Sequence, residues 1–254
     1  MTAFDAEHLN IIKRSAPVWR ASQMDAAFEV FSSLDEPTGA EEDWRYIDYD
    51  LPFSSLSPAF EPGPALDPGP FLDALGETSG RILVVDGHVV EAHSDVAELV
   101  RMADAGDWET RVPVDHNKLA AAHSAFAADG VEINIAGGQI LDTPVVVEVQ
   151  GSTPEAATFP HISVNVGDQA EARVVVVYRS APGKRLLMVP EVDLDVADGA
   201  ILRFLSVQSL DHSASNIVHQ RIRIGRDATS RVGEVGLGGD LGRLDLGVNL
   251  EGDG

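Results

Sequence analysis

Cysteine is absent from the 254 residues, which removes disulfides, thiol nucleophiles and thiolate metal ligands together. Basic residues are scarce: 18 Lys and Arg stand against 41 Asp and Glu, a formal charge of -23. An acidic excess of that size repels phosphate backbones and anionic lipid surfaces, which argues against nucleic-acid and membrane-surface roles. No apolar run approaches the roughly 20 residues needed to cross a bilayer. The opening MTAFDAEHLNIIKR has no cationic stretch leading into a long apolar one, so it does not read as a secretory signal. A cytoplasmic location is the expectation that follows.

Motifs for reactive chemistry are missing as well. No GxSxG elbow occurs, and Asp211, His212 and Ser213 are neighbours in sequence, which does not make them a triad. The tract GLGGDLGRLDLG at 236–247 fails as a dinucleotide fingerprint because Leu241 replaces the third glycine. It lacks the Lys-Ser/Thr of a phosphate loop, and it departs from the calcium-binding GGxGxD repeat after Gly238-Gly239. Tight turns between strands explain it. The eight histidines, His8, His88, His93, His116, His123, His161, His212 and His219, show no paired metal spacing such as HExxH. They read as surface or hydrogen-bonded histidines. No catalytic residue and no metal ligand is therefore assigned from the sequence, and cofactor contacts stay unknown.

What is present divides into two textures. Met24, Ala27, Phe28 and Phe31 recur on one helical face behind a candidate cap, Ser22. Five prolines between Pro58 and Pro70 read as an extended linker. In RILVVDGHVV (81–90), Asp86-Gly87 between apolar runs is a hairpin signal. Ser94 then opens an expected helix through Val96, Leu99, Val100 and Ala103, and a further helix over roughly 115–128 ends at Gly130.

From residue 131 the chain alternates Val and Ile with polar residues, and it repeats. VNVGDQAEARVVVV, LDVADGAILRFLSV and IRIGRDATSRVGEV superpose without gaps, and VEINIAGGQI supplies an earlier copy. Ile135, Val166, Val196 and Ile224 then coincide at spacings of 31, 30 and 28, as do Ala170, Ala200 and Ala228, and Arg173, Arg203 and Arg231. The fourth copy departs from the pattern with a polar Gln220. Alternation buries one face of each strand, and such a period is the mark of a stacked β-solenoid. A β-sandwich remains the competing reading. Asp193 and Asp195 fall on the outward face and read as solvated, and the aligned arginines form a ladder that pairs with surface carboxylates or binds an anion. The chain stops at DLGVNLEGDG directly after a strand, and an uncapped coil leaves edges and apolar surface exposed, so the sequence reads as truncated.

Several segments resemble the SufD type of the SufB/SufD family of iron–sulfur cluster assembly proteins. AAFEVF followed by EPTGAEEDWRY carries the match through Glu42, Trp44, Arg45 and Tyr46. HSAFAADGVEINI (123–135) and the stretch from GEVGLGGDLGRLDLG to the Leu-x-Gly-x-Gly run at 250–254 continue it. The resemblance implies an α+β chain: a mainly helical N-terminal domain (1–130) with a Pro-rich linker and hairpin, then a right-handed parallel β-helix (131–254), incomplete at its C-terminal end. It further implies a non-catalytic scaffold of the SUF complex, paired with a SufB homologue and a SufC ATPase and linked to iron supply. An iron–sulfur cluster or flavin would be met only within that complex. The family's ATPase-docking helices and its histidine near the SufB interface lie beyond this sequence, so no residue here inherits their roles. The absence of cysteine favours SufD over SufB. The alternative is a β-helix enzyme or binding protein acting on polysaccharide, with carboxylates in a groove across the coils.

Overall fold

The computed structural model describes residues 3–47, 53–108 and 110–252; Asp48, Tyr49 and Asp50 of the DWRYIDYD stretch, and residues 253 and 254 of the final glycine run, lie outside them. The helices are α1 (Ala6–Ile12), α2 (Ala21–Ser33), α3 (Pro70–Ala74) and α4 (Lys118–Phe126). Before the repeats come β1 (Ser57–Pro58), β2 (Gly80–Val85), β3 (His88–Ser94) and β4 (Glu98–Arg101). The repeats hold β5 (Val131–Ile135), β6 (Val145–Gly151), β7 (Ala156–Thr158), β8 (His161–Val166), β9 (Glu171–Ser180) and β10 (Leu186–Met188). They continue through β11 (Glu191–Val196), β12 (Ile201–Leu210), β13 (Ala214–Ile224), β14 (Thr229–Gly238) and β15 (Leu241–Leu250).

Strands one repeat apart pair in parallel, which makes this a parallel β-solenoid and excludes the antiparallel sandwich. One sheet runs β1-β7-β10-β13-β11-β8-β5-β4, with β15 also on β13; the other runs β14-β12-β9-β6-β2-β3. The register is the one the repeats predict: Ile135 lies against Val166, Val166 against Val196, and Val196 against Ile224. Arg173, Arg203 and Arg231 likewise stand side by side on the opposite sheet. Columns of Val, Ile and Leu fill the space between the sheets. Gln220 pairs with Val192 and is buried in this interior, with no partner for its Nε2 among the described residues.

The turns between sheets repeat a backbone feature. Gly138, Gln169, Gly199 and Asp227 occupy equivalent positions, all with positive φ. Close stacking also fixes a glycine. A Cβ on Gly167 would lie 2.7 Å from the amide nitrogen of Gly137 in the previous coil, nearer than packed atoms approach.

Elements before the repeats close one end of the stack. β2 pairs in parallel with β6 and antiparallel with β3, and Asp86 (φ 50) and Gly87 (φ 86) form the expected hairpin turn. β4 pairs antiparallel with β5, so the helix expected after Ser94 is a strand. Ser94 Oγ does accept from the Val96 and Ala97 amides as a helix cap would. The free edge of β5 then offers backbone partners that outweigh local helix preference. Two other expectations change. α2 starts without a side-chain cap, following a 3₁₀ turn (Val18–Arg20), so Ser22 is not its cap. α4 passes straight into extended backbone at Ala127. Gly130 is required instead because a Cβ there would stand 3.0 Å from His161 Cβ.

The helices lie against the outside of the solenoid. Phe4, Phe31, Phe53 and Phe126 make edge-to-face contacts with one another, and Phe4 and Phe126 both reach Phe159 of the solenoid. Ala157, Leu187, Val189 and Ile217 from successive coils complete this second core. Trp44 of the WRY segment is buried under the Arg243 guanidinium, 4.4 Å from its ring centre, and so anchors β15. At the far end Leu246, Val248 and Leu250 are exposed.

The Pro-rich segment is extended yet strapped down. Buried Asp86 accepts from the Gly63 amide and from the amides and hydroxyls of Ser152 and Thr153. Replacing Asp86 with Ala orphans these donors and should lower the unfolding free energy by about 3 kcal/mol. Asp86→Asn, which keeps one acceptor and tolerates positive φ, should lose less; urea denaturation of the two variants checks the order.

Candidate functional site

The register that aligns the core also aligns the outward side chains of the β5-β8-β11-β13-β15 face. His161, Glu191, His219 and Asp245 form one column. Glu132, Ser163, Asp193 and Arg221 form the next, and Asn134, Asn165, Asp195 and Arg223 the third. Outward polar columns would ordinarily be solvated. Here Trp108, residues 110–112 and helix α4 lie across them. Trp108 is buried with its ring edge-on to His161, 5.2 Å between centres. The Arg111 amide donates to Asp193 Oδ2 at 3.1 Å and its guanidinium to Asp195 at 2.5 Å. Arg223 donates to Asp195 from below. The expectation of a solvated Asp193 is therefore corrected: its residue exposure is 3%, because a segment distant in sequence covers it.

Where α4 meets the first column, His123, His161 and Glu191 come together, all buried. α4 is set in place by Asn117, whose side chain accepts from the Ala120 amide, and by its alanine-rich inner face, which allows close approach to the coils. His123 Nδ1 stands 3.3 Å and His161 Nδ1 3.8 Å from Glu191 Oε2. That oxygen also accepts from Thr110 Oγ1 at 2.5 Å. The far nitrogen of His123 lies 3.1 Å from the Pro160 carbonyl, which can only accept, so Nε2 carries the hydrogen and Nδ1 presents its lone pair. His161 Nε2 faces Asp193 Oδ2 at 3.7 Å. His123 Nδ1, His161 Nε2 and Glu191 Oε1 have no hydrogen-bond partner among the described residues.

Burial governs the protonation of this group. It pushes the Glu191 carboxyl up to about 8 and Asp193 to about 6. It holds the His161 imidazole down to about 3 and His123 well below the usual range, with Arg20 adding to both effects. Burial thus favours the neutral forms of both imidazoles and of the Glu191 carboxyl. Arg20, itself buried and lowered to about 10 by desolvation, donates to the Ala127 and Ser124 carbonyls at the end of α4.

A second group, His116, His219 and Asp245, lies lower on the same face. His116 Nε2 is 2.7 Å from Asp245, which also meets Arg221 at 2.9 Å and Arg243 at 3.5 Å. Against burial, the hydrogen bond from His116 and the charge of Arg221 hold the Asp245 carboxyl down to about 2. This carboxylate is already neutralised by side chains. His212 sits exposed in the turn between β12 and β13 and is not brought to His219; Ser213 simply hydrogen-bonds Asp211 within that turn. In the arginine ladder, Arg203 faces Glu171 at 3.7 Å and Arg173 donates to the Asp142 carbonyl. Gly238 and Gly239, both with positive φ, make the tight turn expected of the glycine tract.

The reading of each histidine as surface or hydrogen-bonded does not anticipate that His123, His161 and His219 are buried near carboxyl groups; His123 and His219 do make hydrogen bonds, to the Pro160 carbonyl and to Asn117. The signal was available: His161, Glu191 and His219 are spaced like the core residues Val166, Val196 and Ile224. Extending the repeat frame outward stacks them. Nothing in the sequence places His123 or Thr110 there.

The geometry defines a parallel β-solenoid with a helical flank docked on one polar face. Residues 147–254 match the family model for the SufBD core domain of SUF-system FeS cluster assembly. Proteins named iron–sulfur cluster assembly SufBD family protein, from Mycobacterium tuberculosis (strain H37Rv) and Mycobacterium bovis, are each 26% identical over 232 residues, covering 91% of this chain and 52% of theirs. Over the solenoid, and more weakly along most of its length, the chain is similar to the SufB/SufD family. It spans about half the length of the curated relatives it matches. Among the described residues no helix is long and apolar enough to cross a membrane.

Arg20 joins α2 to α4 at this site. Arg20→Met preserves bulk but removes the donors to two carbonyls, and should cost about 2 kcal/mol of stability. Urea unfolding followed by tryptophan fluorescence measures the loss, and an unchanged midpoint would contradict the assigned role.

Proposed function

We propose that the chain serves as a non-catalytic scaffold component of the SUF iron–sulfur cluster assembly system, pairing with a SufB homologue and a SufC-type ATPase and aiding iron supply. The observation that carries this reading is the match of the solenoid, residues 147–254, to the SufBD core domain. The chemistry of the chain agrees with it. Without cysteine, this stretch offers no thiolates to build a cluster on, which fits a scaffold whose partners hold the cluster. The strong acidity of the chain is consistent with a cytoplasmic role beside partners that bring the reactive groups.

The polysaccharide reading requires carboxylates presented in an open groove. Glu191 and Asp193 are instead covered, and Asp195 is paired with Arg111 and Arg223. That arrangement favours the scaffold.

Co-expression of the chain with a SufB homologue, followed by affinity purification through a tag on the chain, should recover a complex that survives gel filtration. Elution of the tagged chain alone would overturn the proposal. Release of reducing ends from acidic polysaccharide by the purified chain would favour the alternative.

A further inference from the structure

His123, His161 and Glu191 come from three separate pieces of the fold: α4, the coil of β8 and the coil of β11. Each offers one ligand atom, and these atoms all lie within 4.8 Å of one another. Ligand atoms around a tetrahedral ion at bonds of about 2.1 Å are about 3.4 Å apart. The His123 and His161 nitrogens already lie at 3.3 and 3.8 Å from the carboxylate, so small side-chain rotations close the set.

The surroundings are those of a ligand shell. An imidazole that binds a metal generally donates its other N–H to a carbonyl or carboxylate, which fixes the tautomer. His123 does so to the Pro160 carbonyl, leaving Nδ1 buried, without a hydrogen-bond partner among the described residues and aimed at Glu191. His161 turns its far nitrogen toward Asp193. Thr110 hydrogen-bonds the ligand carboxylate. A buried lone pair facing a carboxylate oxygen repels it unless a proton or a cation lies between them.

We propose that His123, His161 and Glu191 bind one divalent first-row transition-metal ion, which clamps helix α4 to two successive coils of the solenoid. Two neutral nitrogens and one carboxylate suit borderline ions such as zinc, cobalt or ferrous iron, rather than calcium or magnesium. A cleft of about 280 Å³ lined by Trp108, Thr110, Glu132 and Asp193 among others reaches Thr110 and Asp193, the residues that touch Glu191 and His161. Arg20 places a positive charge nearby, but its guanidinium is held by the Ala127 and Ser124 carbonyls, and Asp193 offsets it. The His116, His219 and Asp245 group lacks this balance, because Arg221 and Arg243 already crowd its carboxylate.

The test is titration of the chelator-treated 254-residue chain with Co(II), then displacement by Zn(II). The wild type should take up one Co(II) with ligand-field absorption in the visible, and its melting temperature should rise on loading. His123→Gln and Glu191→Gln, checked for native circular dichroism, should weaken uptake about 100-fold or more, and His116→Gln should not change it. X-ray absorption of the Zn(II)-loaded wild type should count two imidazoles per metal, a readout that stands even if a buried variant fails to fold. No Co(II) uptake by the wild type, uptake unchanged in folded Glu191→Gln, or uptake lost in His116→Gln would overturn the assignment. The SUF role would survive any of these outcomes, since it rests on the core-domain match.

Discussion

Parallel stacking in register constrains every other feature of this molecule. Because side chains alternate along each strand, one fixed register assigns each position permanently to the interior or the exterior, and a slip of one residue would reverse the assignment. The interior columns, such as Ile135, Val166, Val196 and Ile224, hold that register through burial. The positive-φ turn residues hold it too, since Gly138, Gln169, Gly199 and Asp227 recur at one point of each coil. A stack fixed from both sides presents its outward side chains in columns with no further design.

Those outward columns then determine how the helical flank docks. Near the Phe cluster the outward residues are apolar, Ala157, Leu187, Val189 and Ile217, and the helices cover them by ordinary hydrophobic burial. A few residues further along the same coils the columns turn polar, with His161, Glu191 and Asp193, and the covering segment answers in kind through Thr110, Arg111 and His123. One flank thus meets two chemistries. The apolar part supplies affinity. The polar part, where an unmatched group costs about 1–3 kcal/mol, restricts the flank to one position.

The sequence showed the solenoid because its repeat is local: alternation and turn residues lie within each copy, and the gapless superposition of copies is the physical register. The Asp86-Gly87 hairpin was legible for the same reason. Elements decided by distant partners were not. Ser94 caps its turn as a helix start would, and only the edge of β5 converts the following residues to strand. The site was half legible, since His161 and Glu191 follow from the repeat, whereas His123 and Thr110 arrive from outside it. Trp44 was recognisable as part of a motif, but its work, holding Arg243 of the last coil, lies about 200 residues away in the chain and has no local trace.

The two histidine groups show what the covering of a polar column can produce. They share a column and a neighbour, since Glu191 and His219 are register partners, yet their charge states diverge. Asp245 lies beside the second column's Arg221 and the in-strand Arg243, and it stays ionised as an anchor among cations. Glu191 lies beside Asp193 instead, away from any guanidinium that hydrogen-bonds it, and burial raises its pKa. A shift of one coil in the neighbouring column, from aspartate to arginine, separates a closed ion pair from a carboxylate with ligand capacity left over. In a solenoid, where each coil repeats the backbone of the last, the chemistry of a position is therefore written by the columns beside it as much as by the residue itself.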